Sequence, residues 1–352
     1  MSNRIMAITS KSVDVAKLAG VSRATVSNVL NSTKFVSPEL IERVLTAVKQ
    51  LNYQPHGIAR SLAVRKTYSV GFVVPQISLA FYPTIIAAAE RVLAKKGYSL
   101  ILCNSDEKGS KEENNLKMIM EKRVDGLLWV PCSEKNLPLA RNIAGSGVPI
   151  IVVDRRLAGA EFHTITSDNY NAGRMAARYL LGRGRKRPAI VGFMQSQAAA
   201  RDRLLGFKDE LNDVHQELPD DFICIAMPPE YENAAKKIER MLHLDTAPDA
   251  LFACSESLTL AAIKQIRAAG LRIPDDIALL GFDDSAWSSL ISPPISVITQ
   301  DRNGMGTTAA RLLLKEIEGK KGGSQGVLES IELPVSIVER ESCGEESASR
   351  SG

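Results

Sequence analysis

Few residues of this chain stand at spacings that serve catalysis. Gly304-Met-Gly-Thr-Thr-Ala309 fits G-x-G-x-x-A and lies between an expected strand and an expected helix. A dinucleotide fingerprint also needs a following strand with an acidic end about 20 residues on, within one βαβ unit. The chain runs instead into Gly319-Lys-Lys-Gly-Gly323. Gly322-Gly-Ser-Gln-Gly326 fits G-x-S-x-G, but no buried strand precedes its serine. His56, His163, His215 and His243 lack the spacing of metal ligands. Cys103, Cys132, Cys224, Cys254 and Cys343 are scattered, odd in number and never in a C-x-x-C pair, so they read as buried thiols in a reducing cytosol. No catalytic constellation emerges. The expectation is a non-enzyme with no cofactor and no metal.

Residues suited to a polyanion are better represented. Residues 1–66 hold ten Lys and Arg against three Asp and Glu, whereas the whole chain is only +4, which leaves −3 on residues 67–352. All the positive excess sits in the first fifth of the chain, as in a small polyanion-binding module on a neutral-to-acidic body. A basic tail without fixed structure is the plainer alternative.

Three short helices must position those charges. Ser12 can cap a first helix through Ala19, with Val15, Ala16 and Ala19 on one face, and Gly20 ends it in a left-handed conformation. Ser22 opens a second helix through Leu30 that buries Val26, Val29 and Leu30. Ser37-Pro38-Glu39 starts a third, with proline at the first helical position and Leu40, Val44, Val48 and Leu51 as its apolar stripe. Two short helices around a glycine turn are a helix–turn–helix in physical terms, presenting the first turn of the second helix to the major groove. Residues 58–64 can form one more short helix.

From about residue 68 the pattern becomes strand alternating with helix. Apolar runs recur at 70–74, 100–103, 126–130, 149–153, 189–193, 222–226, 250–254, 277–281 and 297–299, with amphipathic segments between most of them. Such alternation signals parallel sheets covered on both faces. About ten strands are too many for one open twisted sheet, so two doubly wound subdomains are expected. The 352 residues suit two or three domains, and 45% hydrophobic with 24% charged residues is ordinary globular composition. The longest such runs are about five residues, far below the roughly 18 of a membrane span. No membrane partner is expected. The first ten residues lack the apolar stretch of a secretory signal, so a cytoplasmic location follows.

Asp14-Val-Ala-x-x-Ala-Gly-Val-Ser-x-x-Thr-Val-Ser-x-Val-Leu-Asn31 resembles the DNA-binding signature of the LacI/GalR family of bacterial transcription regulators. Tyr53-x-Pro-x-x-x-Ala-Arg-Ser-Leu62, Arg123-Val-Asp-Gly126, Arg203-Leu-x-Gly-Phe207, Gly270-x-x-x-Pro274 and Gly281-Phe-Asp283 match in the same order, over residues 11–342. The resemblance implies an α/β protein with a small all-α helix–turn–helix headpiece at 11–56 and a hinge helix or linker at 57–66. An effector-binding and dimerisation core of the type I periplasmic-binding-protein kind would follow at 67–343. Its first subdomain would take about 67–168 plus 300–327, its second about 169–299 plus 328–343, and 344–352 would be a disordered tail. The implied partners are a pseudo-palindromic double-stranded operator, a small effector and a second copy of the chain, as a homodimer or a dimer of dimers.

The resemblance further implies that Arg23, Ala24 and Asn28 read bases. Arg23 suits guanine O6 and N7, Asn28 suits adenine, and Ala24 offers apolar contact to a thymine methyl. A phosphate contact is the alternative for Arg23. Ser22, Thr25 and Ser27 would be phosphate ligands or caps. Ala59 and Leu62 fall in the hinge, where the matching leucine wedges into the operator from the minor groove; packing on the body is the alternative for Leu62.

Effector contacts carried over in the same way are Phe81, Tyr82, Asp154, Arg201, Ser255, Asp283 and Gln300. Two carboxylates, an arginine and an aromatic pair suit a polyol, and Arg201 suits a sugar acid or phosphorylated sugar. Asp283 has an alternative as the N-cap of the turn that follows, and Arg203 reads as half of a structural ion pair. Ser255-Glu256 stands where many relatives have Asn-Asp, and residues 227–231 place prolines where relatives often have a large aromatic. Purine-type ligands therefore stay open. The leading function is a repressor governed by a sugar or sugar acid; the rival is a solute-binding protein of similar core without a transcriptional role.

Overall fold

The computed structural model describes residues 11–31, 34–53, 66–78, 80–157, 162–193, 198–226, 231–319 and 328–345. Ala59, Leu62, His56, the serine motif at 322–326, the loop at 227–230 and the tail at 346–352 lie outside the described residues. The chain divides into two compact units, residues 1–67 and 68–352.

In the first unit, α1 (Ser12–Ala19), α2 (Arg23–Asn31) and α3 (Pro38–Gln50) enclose a small core of Val15, Ala16, Ala19, Val26, Val44 and Ala47. Lys11, not Ser12, is the N-cap of α1: its backbone N–H reaches Asp14 Oδ2 at 2.8 Å. That acid three residues into the helix outcompetes a serine one position too late. Gly20 is left-handed at φ 65°, and a Cβ there would lie 2.6 Å from Arg43 Nη2. That guanidinium donates to Ala19 O at 2.7 Å, tying α3 to the last turn of α1. The turn is thus held both by backbone conformation and by α3.

The second unit contains two six-stranded sheets. The first has the order β11-β5-β4-β3-β1-β2, formed by β1 (Ser69–Val74), β2 (Ser99–Asn104), β3 (Gly126–Trp129), β4 (Ile150–Val153), β5 (His163–Ser167) and β11 (Ser330–Leu333). The second, β12-β10-β9-β8-β6-β7, is formed by β6 (Pro188–Phe193), β7 (Ile223–Ala226), β8 (Ala250–Ala253), β9 (Ala278–Phe282), β10 (Ser296–Gln300) and β12 (Val335–Val338). The two orders are the same topology repeated, except that β12 runs antiparallel to β10 while β11 runs parallel to β5. Helices α4 (Phe81–Ala94), α5 (Gly109–Glu121), α6 (Leu137–Gly145) and α11 (Arg302–Gly319) accompany the first sheet. Helices α7 (Asn169–Gly182), α8 (Ala198–Asp213), α9 (Tyr231–Leu242) and α10 (Glu256–Ala268) accompany the second. Apolar clusters fill both faces of each sheet, as parallel strands require.

Two elements have no counterpart in the apolar runs: β5, whose sequence HTITS is mostly polar, and α6. A third differs in place. Residues 328–343 were expected in the second subdomain, but β11 adds to the edge of the first sheet beside β5, and only β12 joins the second. The subdomains are therefore linked three times, at Asp168, Asp301 and Pro334. Gly306, from the G-x-G-x-x-A string, lies at a helix crossing where a Cβ would meet Ile85 O at 2.2 Å, so this glycine lets α11 approach α4.

Candidate functional site

On the headpiece, Arg23, Ala24 and Ser27 are exposed on α2, Asn28 is half-buried, and Val26 faces the core. Ser22 Oγ accepts the backbone N–H of Thr25 at 3.0 Å and pairs with its hydroxyl at 2.9 Å. Ser22 thus caps α2 and Thr25 holds the cap in place, presenting an N-terminal turn whose remaining orphan N–H groups and partial positive charge favour an anion.

In the body, the repeat places Asp154 directly after β4 and Asp283 directly after β9, the third strand from the same end of each sheet. Both are left-handed, at φ 69° and 66°, a conformation that costs a non-glycine residue about 1 kcal/mol or more. Each sends its backbone N–H to the neighbouring strand at 2.8 Å, Asp154 to Ile165 O and Asp283 to Ile298 O. Local strain held by strand pairing turns each carboxylate away from its own strand. Tyr82 OH donates to Asp154 Oδ2 at 3.0 Å, and Gln300 Nε2 donates to Asp283 Oδ1 at 3.0 Å. Phe81 packs edge-on against Tyr82, with centroids 5.1 Å apart.

Arg203 joins the two acids electrostatically. Burial lowers its pKa while Asp283 and Asp154 raise it, and it in turn opposes the upward shift that burial imposes on both carboxyls. Asp283 reaches about 6. Burial likewise pushes the Tyr82 hydroxyl well up. Arg203 was expected in a structural ion pair; among the described residues it makes none. Its Nε donates to Asn169 Oδ1 at 2.8 Å, its Nη1 to Cys254 O at 2.6 Å, and its guanidinium lies 3.6 Å from the centroid of the Phe282 ring. Ring and carbonyl together replace part of the water a half-buried cation loses. Arg155 stands behind Asp154, but its charge is engaged bidentately by Glu107 at 2.6 and 2.9 Å.

The other expected contacts divide. Ser255 follows Cys254, but its hydroxyl caps α10 by accepting from Leu258 N at 3.3 Å. The turn Ala286–Ser289 has Ser285, not Asp283, as its N-cap, and Asp284 accepts from Ser288 Oγ at 2.7 Å. Arg201 is exposed in the first turn of α8, whereas Arg203, two residues on, points inward. A two-residue step on a helix turns about 200°, so one excludes the other from the cluster. Gln300 is buried, and its Oε1 has no hydrogen-bond partner among the described residues. A buried unpaired acceptor beside two carboxylates calls for a donor. Arg203 and Asn169 are what the sequence reading missed; the Arg203-Leu-x-Gly-Phe string and Asp168-Asn169 were the available signals.

A headpiece that offers a helix N-terminus, joined in one chain to a duplicated body with a polar cluster at its strand ends, defines a ligand-regulated DNA-binding protein. Residues 13–56 match the model of bacterial regulatory proteins of the lacI family, and residues 177–343 match a periplasmic binding protein-like domain. The chain is 36% identical over 310 residues to the HTH-type transcriptional repressor PurR of Pasteurella multocida (strain Pm70), covering 87% of this chain and 92% of that protein. It is 35% identical over 317 residues to PurR of Histophilus somni (strain 129Pt), covering 90% and 94%. Among solved structures, the Lac repressor dimer bound to operator and the anti-inducer ONPF superposes with a TM-score of 0.83 at 26% identity, covering 96% of this chain and 99% of that one. The complex of the transcriptional regulator CelR with cellobiose gives 0.71 at 29% identity, covering 95% and 99%. The chain belongs to the LacI family of bacterial regulatory proteins. It is a DNA-binding transcriptional repressor, and its relatives are regulators rather than enzymes.

Proposed function

We propose that this repressor is a cytoplasmic homodimer on a pseudo-palindromic operator, and that a small uncharged metabolite bound among Tyr82, Asp154, Arg203, Asp283 and Gln300 sets its affinity. Arg23, Ala24 and Asn28 are assigned to base contacts, Ser22, Thr25 and Ser27 to phosphates, and Ala59 and Leu62 to the minor groove. One observation carries the ligand assignment: two half-buried carboxylates from opposite subdomains face Arg203, which among the described residues is paired with neither, while Arg155 beside Asp154 is already engaged by Glu107. An acid would meet the like charges of Asp154 and Asp283 directly, so a sugar acid or phosphorylated sugar is disfavoured against an uncharged donor. The cluster instead asks for N–H or O–H donors toward Asp154, Asp283 and Gln300 and an acceptor toward Arg203. A purine base meets both needs in one flat molecule. An uncharged sugar is the second reading, supported by the CelR–cellobiose complex.

Isothermal titration of the full chain with guanine, cellobiose and gluconate tests the assignment. Guanine is expected to bind wild type and Arg201→Ala equally and Arg203→Lys at least tenfold more weakly. Cellobiose binding would favour the sugar reading. Binding of gluconate, or loss of binding in Arg201→Ala, would overturn the charge argument.

A further inference from the structure

One side chain spans the first connection between the subdomains. Asn169 opens α7 and is 5% exposed. Its Oδ1 accepts from Arg203 Nε at 2.8 Å, and its Nδ2 donates at 2.9 Å to the carbonyl of Ser167, the last residue of β5. Asp168 alone separates β5 from α7, and its own N–H donates to Leu333 O at 2.9 Å, joining the first connection to the third.

The two bonds of the Asn169 amide lie on different bodies. β5 belongs to the first sheet. Helices α7 and α8 accompany the second, and they are locked together: a Cβ on Gly173 would lie 2.0 Å from Arg203 O, and one on Gly206 would lie 2.0 Å from Tyr170 O. Arg203 therefore moves with α7 and α8, while Ser167 O moves with the first sheet. An amide is planar, with donor and acceptor fixed in one plane, so a guanidinium that turns toward the cleft turns the same plane against Ser167. Beside it the hydroxyls of Thr166 and Ser167 are buried with no hydrogen-bond partner among the described residues, which leaves the end of β5 with groups able to exchange partners as the amide rotates.

We infer that Asn169 is the positioning residue through which the state of Arg203 sets the angle of the first connection, and through it operator affinity. The biological input rests on the reading of Arg203 as the ligand's anchor. The test uses no ligand, so the two readings fail separately.

The probe is an operator duplex enriched by the wild-type protein from a random-sequence pool. Affinity for it is measured without ligand for wild type, Arg203→Lys, Asn169→Ala and the double variant, with the melting temperature of each. Lysine keeps the charge but has no Nε–H for Asn169. Arg203→Lys is expected to shift operator affinity by roughly three- to thirtyfold in the wild-type background and less than twofold beside Asn169→Ala, the non-additivity of residues acting in series. Asn169→Asp, which keeps the acceptor for Arg203 and loses the donor to Ser167, is expected to cancel the shift in the same way, and it serves where the alanine variant does not fold. A shift that persists undiminished beside either Asn169 variant overturns the inference. So does an Arg203→Lys protein with wild-type operator affinity. A purely structural asparagine would lower the melting temperature and leave the shift intact.

Discussion

Asp283→Asn should make the body more stable at neutral pH, and the size of the effect follows from the burial of one carboxyl. Burial is the largest influence on Asp283; with Arg203, Gln300 and Arg302 opposing it, the carboxyl still stands at about 6 instead of 3.8. Between those two values the folded protein holds a proton that the unfolded chain has released, so stability falls as pH rises through that window and levels off above 6. At 1.36 kcal/mol per pH unit, the loss is about 3 kcal/mol. Asparagine carries no proton to lose and keeps an Oδ1 for the amide of Gln300. The unfolding free energy of the variant minus that of wild type should be near its minimum below pH 4 and rise by about 3 kcal/mol to a plateau above pH 6. Other carboxylates cancel in the difference. Urea unfolding followed by tryptophan fluorescence reads this in the full chain, because both tryptophans, Trp129 and Trp287, lie in the body. A difference that does not change between pH 4 and 8 would refute the argument. A ligand that donates to Asp283 binds the ionised carboxylate, so its affinity should fall about tenfold per pH unit below 6.

Arg23→Ala should lose about 1–3 kcal/mol at its cognate base pair and relax specificity there, read by competition among operator variants; an equal fall on every sequence would make Arg23 a phosphate contact. Gly173→Ala should destabilise the body by roughly 1–3 kcal/mol, because its Cβ would fall 2.0 Å from the carbonyl of Arg203 and push α7 off α8. Unfolding equilibria measure it, and an unchanged midpoint would show that the two helices are not held by that crossing.

Much was decided by residues close together in sequence. The headpiece follows from Gly20, which alone suits the left-handed turn, from the Ser22 cap and from Pro38 at the start of α3. The paired sheets follow from buried apolar runs, since a parallel strand covered on both faces must be apolar throughout. Where that reason lapses, the pattern fails: β5 reads as a polar stretch and still forms a strand, because β4 and β11 pair with it on both sides. That β11 joins β5 while β12 joins β10 is a long-range pairing that no local spacing contains. The choice between Arg201 and Arg203 was of the same kind. Both precede the same Leu-Leu-Gly-Phe stretch, and it is the packing of Phe207 and Leu211 in the core, with the close contacts of Gly173 and Gly206 between α7 and α8, that sets which face of α8 turns inward. Asp154 and Asp283 could be recognised as strand-end acids from sequence. That both act on Arg203 came from the repeat of the fold, because groups 129 residues apart acquire a shared environment only when tertiary packing removes the water between them.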